Sequence, residues 1–272
     1  MRETWALTVR ELKKWVRAPV WIVVSLMQPI VWILLFGNAF NPASLAGSSS
    51  SGALASAFGG APNYLTFLTA GMFSFLLLYN SMFSGVSIVW DRTFGFLDKL
   101  LAAPIARSSI FLSLVAASLV KGVIVTLVLF GVALTLPNGL MLGPSFGALD
   151  FIALMAVLVV LNLGFSCAFI AIAVRTTDQG ALAAIGSFIA LPLLFASSAL
   201  LPTSTMPGWM RDIVNVNPIS KAADITRYLI VQPAMGGTVL STVFYDAIYL
   251  IGFAALFVVV GLVVARRGLR MR

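Results

Sequence analysis

Six long, mostly apolar stretches constrain this chain most. They cover residues 20–40, 64–89, 110–136, 151–174, 180–201 and 239–265. A helix needs about 20 mostly apolar residues to cross the hydrocarbon of a bilayer, and all six stretches reach that length. Only 10% of the residues are charged and 60% are apolar, whereas an average soluble domain carries about 25% charged residues. So few charges cannot cover a water-facing surface. The expected fold class is an all-α integral membrane protein with six transmembrane helices. The first stretch follows a charged segment and is too long for a cleaved secretion signal, so it reads as a true span.

The placement of positive charge sets the expected orientation, because cytoplasmic connections are enriched in Lys and Arg. Arg2, Arg10, Lys13, Lys14 and Arg17 precede the first stretch. Arg92, Lys99 and Arg107 follow the second, Arg175 follows the fourth, and Arg266, Arg267, Arg270 and Arg272 follow the sixth. The opposite connections hold only Arg211, Lys221 and Arg227. Both termini are therefore expected in the cytoplasm of a multi-pass cell-membrane protein. The uncharged Gly/Ser/Ala-rich segment 41–63 is expected outside. The net charge of +8 forms no basic stripe interleaved with aromatics, which argues against a nucleic-acid partner.

Three polar segments interrupt this pattern. In "WALTVRELKKWVR", Trp5, Val9, Leu12 and Val16 fall on one helical face. A basic amphipathic helix of this kind lies in the membrane interface. In "RTFGFLDKLLAAPIARSS", residues 92–109, Phe96, Leu97, Leu100 and Leu101 recur at helical spacing. That pattern predicts a short cytoplasmic helix, ended by Pro104 because proline disfavours helix at the residue before it. The third segment, 201–233, is broken by Pro202, Pro207 and Pro218 into two pieces too short to span. Its charges, Arg211, Asp212, Lys221, Asp224 and Arg227, are expected at the interface or in a wet vestibule, since charge at membrane depth is costly.

The chemistry-bearing residues are few. There is no histidine and one cysteine, Cys167, which reads as a small buried hydrophobe. No glycine-rich loop is followed by Lys-Ser/Thr, so no P-loop is expected, and no metal site. Gradient-driven carriers usually carry ionisable groups in their spans and repeated halves. Here only Lys121, Asp246 and Asp150 approach the membrane interior and no repeat is visible. An external energy source, a cytoplasmic ATPase, is the better expectation. An intramembrane enzyme would need a catalytic constellation that these residues do not supply.

Lys121 lies roughly 16 Å into its stretch at 1.5 Å per residue, where a lysine costs about 2.5–3.5 kcal/mol to insert. It reads either as a cation facing a substrate cavity or as a side chain reaching back to the headgroups. Asp246 sits at a different depth, which argues against a pair with Lys121. Phe67, Phe73, Phe75, Tyr79 and Phe83 could line a path for an amphiphile or could serve packing. Asn80, Ser81 and Ser84 are expected to face protein, as small polar residues serve contacts between membrane helices.

The segments "RELKKWVRAPVWI", "MQPIVWILLFG", "WDRTFGFLDKLLAAPIAR" and "LPTSTMPGWMRDIVNVNPISKAADITRYL", in this order and spacing, resemble the type-2 class of ABC exporter permeases, in the daunorubicin-type branch. The resemblance covers essentially the whole chain. The family usually places an acidic-basic pair just before the glycine of the cytoplasmic segment. Here Asp91 and Arg92 keep the charges, but Thr93 and Phe94 intervene before Gly95.

The resemblance implies an interface helix over 1–19, a six-span membrane domain over 20–265 and a basic tail over 266–272. Residues 91–105 would be the coupling helix, seated in a cleft of a separate ABC ATPase. Asp91, Arg92, Gly95, Leu97, Asp98, Leu100, Pro104 and Arg107 are the docking candidates. Trp5, Val9, Leu12, Lys13, Lys14 and Val16 would form the interface helix. Residues 202–233 would be re-entrant external helices that close an outer gate, with Pro202, Met206, Pro207, Trp209, Asn217, Pro218 and Arg227 as gate candidates. Phe75, Tyr79, Asn80, Phe83 and Lys121 are the substrate-path candidates. Two copies of the chain would pair with two ATPase subunits, which hold the ATP and magnesium; the chain itself would carry no cofactor. The expected function is outward transport of a hydrophobic drug-like, lipid or lipid-linked substrate. A lipid-linked polysaccharide exporter permease and a non-transporting membrane scaffold are the alternatives.

Overall fold

The computed structural model describes residues 2–39, 58, 61–136, 139–231 and 237–268. The expected outer loop at 41–63 and the end of the tail at 269–272 fall almost entirely outside them. Among the described residues every regular element is a helix. These are α1 (Arg2–Val16), α2 (Pro19–Ala39), α3 (Tyr64–Thr93), α4 (Phe96–Ala102), α5 (Arg107–Thr135), α6 (Ala148–Arg175) and α7 (Gln179–Phe195). A 3-10 turn (Thr203–Thr205), α8 (Gly208–Asn215), α9 (Pro218–Val231) and α10 (Gly237–Gly268) complete the chain.

The helix ends follow local chemistry. Asn63 caps α3 by accepting the Thr66 N–H at 2.7 Å, and Asp178 caps α7 by accepting the Gly180 N–H at 2.9 Å. Both use a side-chain oxygen to satisfy an N–H that has no partner within the helix. The α4 helix stops at Ala102, two residues before Pro104, where the sequence predicts an end.

Four helices, α3, α5, α6 and α10, are long and apolar enough to cross a membrane. The stretches at 20–40 and 180–201 supply shorter apolar helices, Ile22–Phe36 and Gln179–Phe195. The second of these ends at Phe195, short of its expected end at residue 201. Pro192 lies inside α7, removes a helical N–H and crowds the turn before it. The chain leaves the helix at Ala196 and turns through 196–201.

The central helix is α3. Of its most apolar window, 83% is buried inside the chain, against 17% for α10. The α6, α9, α2, α5 and α7 helices all pack on α3, and α10 reaches the bundle mainly through α6 and α9. The large core side chains Phe73, Phe75, Leu129 and Leu154 join one apolar cluster. A second cluster at the expected cytoplasmic end holds Val89, Leu97, Ile110, Phe111, Val174 and Ala265. Outside these clusters, α2, α5, α7 and α10 leave Val24, Ile124, Phe188 and Leu256 exposed. Outward-facing apolar side chains of this kind suit lipid or a second protein rather than water.

Candidate functional site

The polar segment after α3 is built differently from its reading in the sequence. The α3 helix continues to Thr93. Gly95 then adopts φ +66°, ψ 11°, a left-handed conformation that costs glycine little and other residues considerably more. The chain reverses at this point, and α4 packs back under the bundle. Leu97 is only 2% exposed and belongs to the second apolar cluster, with Leu100 and Leu101 packed against it. Within the chain Leu97 is therefore an internal anchor of the segment.

The two charges before the turn also point inward. Asp91 is buried and accepts two hydrogen bonds from Arg10, at 2.9 and 3.0 Å, and one from Lys14 at 3.2 Å. The Arg10 guanidinium also lies 3.5 Å from the centre of the Phe96 ring. Burial works to lower the Arg10 guanidinium, but its hydrogen bonds to Asp91 and the charges of Asp91 and Glu11 together raise it above its ordinary range. Arg92 donates to the carbonyls of Val174 at 2.7 Å and Thr176 at 2.6 Å. It thereby satisfies acceptors at the end of α6 that no helical N–H can reach. In this arrangement Asp91 and Arg92 are both engaged within the chain.

What the segment does present is a tip. Phe94 is 79% exposed, and Thr93, Asp98, Lys99 and Pro104 are exposed beside it. Arg107 is half-buried at the start of α5. Of the docking candidates, Asp98 and Pro104 remain on the surface. Phe94 and Lys99 were not among them. The signal for Phe94 was a bulky aromatic placed one residue before a glycine in a polar turn.

The α1 helix has the expected amphipathicity but the reverse orientation to a soluble helix. Trp5 and Val16 are exposed, Val9 and Leu12 are half-buried, and Lys13 is exposed. The buried side carries Thr8 and Glu11. Glu11 accepts from Ser87 at 2.7 Å, and Lys14 donates to Ser87 at 3.0 Å. Arg10, Glu11, Lys14, Ser87 and Asp91 thus form one polar cluster joining α1 to α3. Arg10, Glu11 and Ser87 were not singled out from the sequence, because their partners lie more than 70 positions away.

At the other end of the bundle, the 196–201 turn is held by three side chains from outside it. Asn217 donates to the carbonyls of Leu193 and Ala196, both at 2.7 Å. Arg227 donates to the carbonyls of Ser198 and Ala199, and Tyr64 donates to that of Leu200 at 3.0 Å. Irregular backbone at membrane depth is tolerated only where protein or water satisfies its polar groups, and this turn meets that condition. Gly71 of α3 lies against the same turn, where a Cβ would run into the Ala199 carbonyl. Arg227 is 5% exposed and stacks 3.6 Å from the Phe67 ring centre. It is a buried structural cation, not the interfacial charge expected. Lys221 pairs with Asp246 at 2.8 Å, a partner the sequence did not suggest. Of the remaining gate candidates, Pro202, Met206 and Pro218 are buried, while Pro207 and Trp209 are exposed.

The substrate-path candidates separate into two groups. Phe75 is fully buried in the bundle, as is Phe73, so neither lines a path within this chain. Asn80 donates to Ser118 and to Asn162 Oδ1 at 3.2 Å, and Ser81 donates to Asn162 Oδ1 at 2.8 Å. This network ties α3, α5 and α6 together, as expected for small polar residues in spans. Tyr79 is half-buried with its ring against Phe75. Phe83, Asn80 and Lys121 line a cavity between α1, α2, α3 and α5.

Comparison with known proteins agrees with this architecture. The family model described as "ABC-2 type transporter" matches residues 2–231. A protein named as the transport permease ycf38 of Pyropia yezoensis is 32% identical over 84% of this chain and 74% of its own length. Its counterpart in Cyanophora paradoxa is 32% identical over 84% and 74%. The daunorubicin resistance ABC transporter permease protein DrrB1 of Streptomyces coeruleorubidus is 28% identical over 78% of this chain and 69% of its own length.

Proposed function

This chain belongs to the ABC-2 type transporter family, and from that premise we propose that it is the membrane subunit of an ATP-driven exporter. It is a multi-pass membrane transport permease, and permeases of this family work with ABC ATPase subunits. In this reading two copies pair in the cell membrane with both termini in the cytoplasm. Six membrane-embedded helices serve each copy, with α2 and α7 completing the four longer ones. Two copies of a separate ATPase bind beneath them. ATP and magnesium belong to that ATPase and supply the energy of its closure. The cargo is a hydrophobic drug-like or lipid-like molecule, supported by the resistance function in the name of the Streptomyces relative, and it moves outward.

The observation that carries the reading is the construction of the α3–α4 turn. An exposed aromatic tip at Phe94 is fixed to the bundle at three points. Leu97 anchors it in the apolar cluster, Arg10 and Lys14 tie Asp91 to α1, and Arg92 ties the turn to the end of α6. A loop would absorb a push from below. A tip braced in this way passes the push to α1, α3 and α6 together, which is what an energy-coupling element must do. Co-purification of the chain with an ABC ATPase, and its loss on altering Phe94, tests the reading.

A further inference from the structure

The cavity between α1, α2, α3 and α5 holds a lysine with no hydrogen-bond or ion-pair partner among the described residues. Its volume is about 90 Å³ and its walls include Glu11, Lys14, Asn80, Ser84, Ser87 and Lys121, with Trp15 and Trp90 at its sides. Among the described residues Lys121 makes no hydrogen bond or ion pair. The neighbouring cluster is balanced, with Arg10 and Lys14 against Glu11 and Asp91. With Lys121 beside Lys14 and Glu11, the charged side chains of the cavity wall sum to one net positive charge.

A lysine at membrane depth is expensive and pairs with a counter-charge or reaches water. Here Ser84, Ser87 and Asn80 stand in the same walls as further polar groups. Pockets that enclose a drug-sized molecule measure roughly 300–1,000 Å³. This one fits a headgroup and leaves the rest of an amphiphile outside. The two helices at its outer edge, α2 and α5, expose Val24, Met27, Val120 and Ile124, an apolar surface on which acyl chains can lie. Tryptophan rings suit the boundary between headgroup and hydrocarbon.

We propose that this cavity binds the anionic headgroup, a phosphate or a carboxylate, of a membrane amphiphile, with Lys121 as its counter-ion. The assignment of the site to the cytoplasmic leaflet rests on the orientation proposed above; the binding itself does not.

The test is native mass spectrometry of the purified full chain with equal amounts of phosphatidylglycerol and phosphatidylcholine. The wild type should retain phosphatidylglycerol in clear preference. Lys121→Met should lower that preference about tenfold, the effect of losing one charge-assisted contact, and Lys121→Arg should keep most of it. Melting temperature serves as the folding control. If the wild type holds the two lipids equally, or Lys121→Met keeps the preference, the proposal is overturned, and the first result needs no variant to fold. An arm with excess inorganic phosphate separates the two sources of the anion. Failure of phosphate to displace the lipid supports the amphiphile, whereas full displacement identifies a free anion and overturns it. ATPase co-purification is scored separately, so failure of the exporter reading leaves the lipid result standing.

Discussion

Arg10 and Asp91 meet through two parallel hydrogen bonds of 2.9 and 3.0 Å across 81 residues of sequence. A guanidinium and a carboxylate in this geometry fix both distance and angle. The pair makes α1 and the end of α3 one mechanical unit, so α1 is part of the turn rather than an independent element.

That coupling predicts non-additive energetics. Arg10→Ala and Asp91→Ala should each lower thermal stability, because each removes the paired contact and leaves Asp91 only Lys14, or Arg10 only Glu11, in a partly buried setting. The double change should cost less than the two together, with an interaction energy of about 0.5–3 kcal/mol. Melting curves of the three variants in the same detergent would measure it. Strict additivity would mean that the pair is incidental.

Arg227 should be the most sensitive charged residue in the half of the bundle away from α1 and α4. It donates to Phe67, Ser198, Ala199 and Asp224 from a buried position. Arg227→Met strips the Ser198 and Ala199 carbonyls of its donors and leaves Asp224 with Ser198 alone, at about 1–3 kcal/mol for each buried group stranded. Arg227→Lys should rescue little, since an ammonium cannot reproduce the planar fork. Folded yield and melting temperature are the readouts. Near-normal values for Arg227→Met would refute the account of the 196–201 turn.

Gly71→Ala adds one methyl where α3 meets the Ala199 backbone. Overpacking against backbone cannot be relieved by rotating a side chain, so a loss of about 1–3 kcal/mol is expected. A melting temperature equal to that of the wild type would show that the two elements can separate freely.

Orientation is open to cysteine labelling in a Cys167→Ser background. Ser204 and Ala102 are both exposed and lie on opposite connections. A membrane-impermeant maleimide should label Ser204→Cys in intact cells and Ala102→Cys only after permeabilisation. The reverse pattern would invert the topology.

The apolar stretches made the class and most helices legible, because length and hydropathy survive without tertiary context. The stripe of Trp5, Val9, Leu12 and Val16 was equally legible, but not the polar face behind it, since Glu11 and Arg10 acquire meaning only from Ser87 and Asp91 far along the chain. Asp91 and Arg92 read as docking charges because they head a short polar segment between two spans. Their contacts within the chain depend on where α6 ends and where α1 docks, and neither position is written in local spacing. Arg227 was misread for a related reason. Only once Pro192 and the 196–201 turn leave carbonyls unpaired at depth does a buried arginine become favourable. Lys221 and Asp246 lie on different elements and meet only in the folded bundle.

The central claim is that the tip at Phe94, not the leucines behind it, meets the ATPase. The contrast between Phe94→Asp and Leu97→Asp tests it most directly. Phe94 is 79% exposed, so its charge variant should fold and melt like the wild type. Leu97 is buried, and losing its burial removes about 1.5–3 kcal/mol before any cost of the new charge, so that variant should fold poorly. The deciding measurement is the amount of ABC ATPase that co-purifies with Phe94→Asp at wild-type melting temperature. The account predicts a large loss of ATPase from an intact membrane bundle. Wild-type ATPase recovery with Phe94→Asp would contradict it.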